Sequence, residues 1–295
     1  MQTCDPIDSP SQADLRIAAR LLRSLLNLSC VEVPASELAA SAVVFSPHPD
    51  DESLGCGGTI LKKKREGARI ALVEMTDGSA STNVIPREEL KKIRKQEVVN
   101  AAGILGVHTT YFLQFPDTKL NRHLAAATDR VLEVLEAECP KEIFIPHHRE
   151  LPRQAADHLA TTDAVLTALR RYSKRVVVWE YPVWAWLHWP WVTIRQYGLP
   201  NIRSRQVFKN SVASCFGLRD FLDFRQVVDI SSVLREKREA IAQHRSQMEH
   251  LVPSPNWHTV GDVSNGEFLA CFFQDREFFR RSVYDRSHGA PGPGL

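Results

Sequence analysis

Short apolar runs alternate with stretches of helical periodicity through the first two-thirds of the chain. Ala42–Phe45, Arg69–Met75, Thr110–Leu113, Glu142–Ile145 and Arg175–Trp179 have the length and apolar continuity of buried strands. Between them, apolar positions recur at helical spacing near Leu54–Glu66, Arg87–Leu105, Leu124–Glu138 and Asp157–Arg171, which predicts four helices. Strands that are apolar throughout belong in a parallel sheet covered on both faces, so the alternation predicts a doubly wound α/β fold. In such folds ligands bind outside the carboxyl ends of the strands.

The flanks read differently. Leu15, Ala18, Ala19, Leu22 and Leu26 form an amphipathic stripe, so residues 1–38 are expected to be a helical extension with a loose first dozen residues. The α/β domain is expected over 39–283. Residues 181–230 read as an insertion, whose part 181–219 carries five basic residues, four tryptophans and no Asp or Glu. Helical periodicity resumes near Ser232–Met248, and Phe268–Phe273 has the look of a strand returning to the sheet. Residues 284–295 end in a run too rich in Gly and Pro to pack. No internal repeat is visible.

Composition narrows the classes. With 43% apolar and 24% charged residues among 295, the chain is an ordinary globular one, which excludes disorder and coiled coil. A net charge of +2 gives no ground for a nucleic-acid partner. Around the tryptophans the longest stretch free of Asp, Glu, Lys and Arg is residues 181–194, short of the ~20 that a membrane span needs. The acidic start lacks the layout of a secretory signal, so a cytoplasmic location is expected. No two of the six cysteines form a Cys-x-x-Cys pair, which favours reduced thiols. The run Lys62–Arg65 reads as a solvated helix end.

The most informative stretch is His48-Pro-Asp50-Asp51-Glu52, directly after the first strand and before a helix. Helix capping would explain one carboxylate there. Three adjacent carboxylates repel one another, and a divalent metal would resolve that conflict. Gly55, Gly57 and Gly58 suggest a phosphate-binding turn only weakly, because acids occupy the place where the dinucleotide fingerprint has its first glycine. A zinc hydrolase site uses three protein ligands and an open position. His147 and His148, after the fourth strand, and Asp157-His158, opening the next helix, lie on the same sheet edge as His48 and are the candidates for completing it.

These residues resemble the LmbE/PIG-L-like zinc-dependent de-N-acetylases. Pro47 to Glu52 followed by Leu54-Gly55-Cys56-Gly57-Gly58-Thr59 carries the resemblance. Thr76-Asp77-Gly78, Arg94 to Glu97 with Leu105-Gly106-Val107, Phe115-Pro116-Asp117, Asp157-His158, and Lys237 with His244 to Gln247 follow in order. The resemblance implies a Rossmann-like fold and removal of the N-acetyl group from an N-acetylglucosamine-type sugar. It implies zinc ligation by His48, Asp51 and His158, with Asp50 as general base and Arg94 and Asp117 on sugar hydroxyls. One departure stands out: the family's His three residues before the distal ligand is Ala155 here. Asp157 thereby loses its usual partner, and His148, Arg149 or Arg153 would have to substitute. His148, Asp157 and His244 complete the candidate set.

Amide hydrolysis needs an activated water, stabilisation of the oxyanion and a proton for the amine, which a zinc site with one adjacent carboxylate supplies. The tryptophans, Trp184 among them, read as core packing, as a wall for a sugar or acyl chain, or as a membrane-interface contact. With the basic residues of the insertion they suggest a phosphate-bearing or lipid-linked amino sugar. The contrasting reading is a metal- or carbohydrate-binding relative without turnover, which Ala155 supports.

Overall fold

A computed structural model of the chain describes residues 17–150, 156–194 and 203–285. Eight strands, β1 (Val31–Glu32), β2 (Ala42–Ser46), β3 (Ile70–Thr76), β4 (Thr109–Phe115), β5 (Glu142–Pro146), β6 (Val176–Tyr181), β7 (Gln226–Asp229) and β8 (Arg276–Tyr284), form one sheet in the order β1-β7-β8-β6-β5-β2-β3-β4. β6-β5-β2-β3-β4 are parallel, and β8 runs antiparallel to both neighbours. The longer helices are α1 (Ile17–Ser29), α2 (Asp51–Arg65), α3 (Arg87–Leu105), α4 (Leu124–Glu138), α5 (Ala156–Leu169), α6 (Ser204–Ala213) and α7 (Leu234–Ala242).

Period-two alternation along the strands builds two cores. Val44, Leu72, Phe144 and Trp179 face one way and pack with residues of α1, α2, α3 and α7. Val43, Val73, Ile145 and Val178 face the other way against α4 and α5. Both faces are therefore covered, as continuous apolar strands require.

β3 and β4 extend to one side of β2, while β5 and β6 extend to the other. The chain order thus reverses between β2 and β5, and the loops leaving their carboxyl ends flank the crevice where ligands bind in open sheets of this type. His48 follows β2, and His147 follows β5.

Four expectations need correction. Phe268–Phe273 is not a strand: Glu267–Ala270 is a helical turn, and the returning strand is Arg276–Tyr284. The helix expected over Ser232–Met248 breaks into a 3-10 turn at Ser231–Val233, α7 and a final turn at Arg245–Met248. Within Lys62–Arg65, Lys63 is buried, donating to Glu142 Oε2 at 2.6 Å and to the carbonyl of Glu37 at 2.8 Å. The tryptophans follow the core-packing reading at Trp186 and Trp191, which are buried, whereas Trp184 is half-buried and stacks on Phe268 at 4.9 Å. The sheet also takes β1 from the expected extension and β7 from the expected insertion. No helix among the described residues is long and apolar enough to cross a membrane. The expected loose start, Arg153, Ala155 and the Gly/Pro run from His288 lie outside the described residues.

Candidate metal centre

The turn that carries the acidic motif is clamped from several sides. Pro47 O accepts from Thr76 N at 3.1 Å and from Thr76 Oγ1 at 2.8 Å. Arg94 gives Nη2 to Pro49 O at 2.5 Å and Nη1 to Gly78 O at 2.9 Å. Glu52 accepts from Asp50 N at 3.1 Å. These bonds hold Asp50 at φ 138°, a backbone conformation that non-glycine residues adopt only under constraint. Gly78 is required opposite the turn. Its φ is +62°, and a Cβ there would lie 2.9 Å from both Arg94 Nη1 and Pro49 Cδ.

Three ligand-type side chains converge above this turn. Asp51 Oδ2 lies 3.2 Å from His48 Nδ1 and 3.1 Å from His158 Nε2. His158 reaches the cluster from α5, with its ring fully buried and neither nitrogen hydrogen-bonded. A buried imidazole that faces carboxylates but makes no aligned hydrogen bond to them is costly unless its lone pair is used. Tetrahedral ligation at the usual nitrogen and oxygen distances separates ligand atoms by about 3.3 Å, close to the spacing here. The residues therefore fit a divalent cation. Burial by itself would raise Asp51, but His158 and His48 hold its carboxyl well below the usual carboxylate range.

The other ring nitrogen of His48 faces Asp157 Oδ2 at 3.3 Å and Asp117 Oδ1 at 3.4 Å. These carboxylates have backbone partners of their own. Asp157 accepts from Thr118 N at 2.6 Å and Leu120 N at 3.1 Å, while Asp117 accepts from Ala80 N at 2.8 Å. They orient His48 and pin the loop after β4, as carboxylates behind metal-ligating histidines do.

Asp50 lies beside the cluster, with Oδ2 3.6 Å from Arg94 Nη2. Burial pushes its carboxyl up to about 7 against the pull of that guanidinium. Arg94 itself is 2% exposed, so its bonded nitrogens serve the turn's backbone. His244 lies behind the centre, 3.0 Å from Glu52 Oε1 and 3.1 Å from Ser53 Oγ. Lys237 donates to Leu54 O at 2.9 Å and to Glu277 Oε1 at 2.7 Å. Glu277 in turn accepts from Gly58 N, Thr59 N and Thr59 Oγ1 at 2.8, 2.7 and 2.6 Å, just past a kink at Cys56.

His148 stands apart from this group. Its Nδ1 lies 2.5 Å from Glu180 Oε2, and Glu180 also pairs with Arg280. His147, His148 and Glu180 converge closely enough to suggest a second cation site. Arg280 already balances that carboxylate, however. Trp184 meets the centre through its backbone, donating N to Glu150 Oε2 at 2.5 Å.

Two acids escaped the sequence reading. Glu150 also accepts from Val183 N at 2.7 Å and lies 3.8 Å from His158 Nδ1, and burial pushes its carboxyl up to about 7. Its only signal was position, after β5 and eight residues before His158. Glu74 is fully buried in β3, with neither carboxyl oxygen hydrogen-bonded. Burial, reinforced by Glu52, Asp51 and Asp50, keeps it well above the usual carboxylate range. A Glu inside the apolar run of β3 was a visible but unused signal.

Comparison with known proteins gives a consistent picture. The sequence profile described as GlcNAc-PI de-N-acetylase (PIG-L) matches residues 43–169. An uncharacterized deacetylase of Escherichia coli K12 is 32% identical over 131 residues, spanning 43% of this chain and 67% of that protein. A probable N-acetyl-alpha-D-glucosaminyl L-malate deacetylase of Bacillus cereus is 29% identical over 218 residues, covering 71% and 84% of the two chains. The solved N,N'-diacetylchitobiose deacetylase from Pyrococcus horikoshii superposes with a TM-score of 0.59 over 94% of each chain. At 22% identity that likeness shows a shared fold.

Proposed function

The chain belongs to the PIG-L family, and from that premise we propose that it hydrolyses the acetamide of an N-acetylated amino sugar at a centre formed by His48, Asp51 and His158. The observation that carries this reading is the convergence of those three side chains, together with the two unbonded nitrogens of buried His158. The mixed imidazole and carboxylate donor set suits zinc, with a position left for water or substrate. Once bound, the ion would supply Lewis acidity for the amide carbonyl and make water more acidic.

The protein's own groups account for the rest. Asp50 precedes the ligand Asp51 and is held in a constrained turn, so its carboxylate is placed to take the proton of an attacking water and return it to the departing amine. Arg94 fixes that turn and faces Asp50. Asp117 and Asp157 hold His48 in one ring orientation while positioning the loop after β4, which borders the crevice. Trp184 and Asp117 are the residues we assign to the sugar: an indole face for the ring and a carboxylate for hydroxyl groups.

The test pairs two substitutions. Asp50→Asn is expected to retain metal by elemental analysis and to lose acetate release from N-acetylglucosamine compounds. His158→Ala is expected to lose both. If Asp50→Asn loses metal as completely as His158→Ala, Asp50 is a ligand and the base assignment fails.

A second reading has one observation behind it. Both oxygens of Asp157 are bonded by the amides of Thr118 and Leu120, and the sequence has Ala155 where the family's His would stand. That favours a metal-binding relative without turnover. Single-turnover acetate release from the metal-loaded protein separates the two, since a binder releases none.

A further inference from the structure

The tryptophans are not where the molecule exposes apolar surface. Ile17, Leu21, Leu25 and Leu28 form a stripe along α1 and are 56–84% exposed, while Ala19, Arg23 and Leu26 face inward. On α6 and the turns after it, Phe208, Val212, Phe216, Leu218 and Leu222 are 43–74% exposed. The two sets adjoin, because α1 sits directly on the second segment: a Cβ at Gly217 would lie 2.5 Å from Leu22 Cδ2. Nine large apolar side chains this exposed on two adjoining segments mark a surface suited to a partner.

The exposed charges carried by these two segments have one sign. Arg203, Arg205, Lys209 and Arg219 are exposed among the apolar side chains of the second segment, and residues 203–219 contain no Asp or Glu. Helix α1 contains none either. The next acids, Asp220 and Asp223, are buried and engaged, Asp220 by Trp191 Nε1 at 2.7 Å and Asp223 by Arg149 at 2.8 Å. A second copy of the chain meeting this face through a two-fold axis would bring like charges together, with no exposed carboxylate in either segment to offset them. An anionic lipid surface satisfies both features: phosphate for the cations and the headgroup boundary for Leu and Phe.

We propose that α1 and residues 203–222 form a docking face for an anionic bilayer. The face adjoins the metal centre through residues 183–194. Glu150, near His158, holds the amides of Val183 and Trp184, and Trp189 packs against Phe216 at 6.0 Å. Docking is a property of this surface alone and does not require hydrolysis at the centre.

Co-sedimentation with vesicles tests the proposal, using the full chain at low ionic strength. The wild type is expected to pellet with vesicles of 70% phosphatidylcholine and 30% phosphatidylglycerol, but not with phosphatidylcholine alone, and to be released by ~0.5 M salt. Removing two cations in Arg205→Gln/Lys209→Gln should weaken partitioning ~30-fold. Leu218→Ser/Leu222→Ser should abolish pelleting. Unchanged metal content in both variants reports that they are folded. Three results would overturn the idea: no pelleting of the wild type with the anionic vesicles, equal pelleting of wild type and variants, or a stable dimer in sedimentation equilibrium that Leu218→Ser/Leu222→Ser dissociates.

Discussion

Replacing Gly55 with alanine tests how closely α2 must approach the sheet. Gly55 lies one helical turn beyond Asp51, and a Cβ there would come within 2.2 Å of Tyr181 Cδ2 and 2.8 Å of Cε2. Ordinary contact begins at 3.4 Å, so helix and ring would have to part by roughly an ångström. The ring has nowhere easy to go. Tyr181 is fully buried, and its hydroxyl donates to Phe45 O at 2.8 Å. Swinging it aside would leave two buried polar groups unpaired, at about 1–3 kcal/mol, and overpacking adds about 1–3 kcal/mol. Alanine's better helix propensity offsets about 1 kcal/mol. The expected net loss is about 1–5 kcal/mol in urea unfolding, with an unchanged m-value. Metal affinity should fall as well, because Asp51 moves with the helix. Tyr181→Leu removes the clashing ring, so Gly55→Ala should cost less in that background, with a coupling of about 1–2 kcal/mol. A loss below about 1 kcal/mol, or strict additivity with Tyr181→Leu, would refute the close-approach argument.

Two further predictions concern buried charge. Lys237→Met strands Glu277 without its cation and should destabilise the protein by about 3–5 kcal/mol in urea unfolding, with partial recovery in Lys237→Met/Glu277→Gln. Glu180 bears on acid stability. Burial opposes its ionisation, yet the His148 hydrogen bond and the paired Arg280 guanidinium hold it at about 2, below the ordinary 4.5. A depressed carboxylate contributes stability that is complete above about pH 4.5 and lost as pH falls through about 2. Thermal melts of Glu180→Gln should therefore fall below wild type at pH 6, with the gap closing as pH approaches 2. A gap that stays constant with pH would show that the substitution acts through packing.

The central fold was legible because its signal is periodic. β2, β3, β5 and β6 are apolar on both faces, so their runs stood out, and the four helices between them followed. β8 was missed because it carries Glu277, Arg280 and Arg281, charges that Lys237, Glu180 and Glu37 satisfy only once the chain has folded. The apolar Phe268–Phe273 drew the strand assignment instead. β1 and β7, with two and four residues, are too short to show a period. At the site, adjacency in sequence revealed His48, Asp50 and Asp51, and the loop-to-helix position revealed His158. It did not reveal that Arg94 serves backbone carbonyls, because the kind of partner is fixed by tertiary geometry. The same holds for Glu150, which faces His158 while held by the amides of Val183 and Trp184, residues that follow β6.

Glu277 sits near the far end of the described chain, yet it caps the half of α2 that begins beyond the kink. The helix presenting Asp51 is therefore secured by a segment that leaves the ribosome more than two hundred residues after it. A nascent chain that has made only its amino-terminal two-thirds already contains every proposed ligand but lacks the carboxylate that seats their helix, so competence to capture an ion should arrive late in synthesis. Premature termination before residue 277 would then yield protein that carries the whole motif and loads no metal.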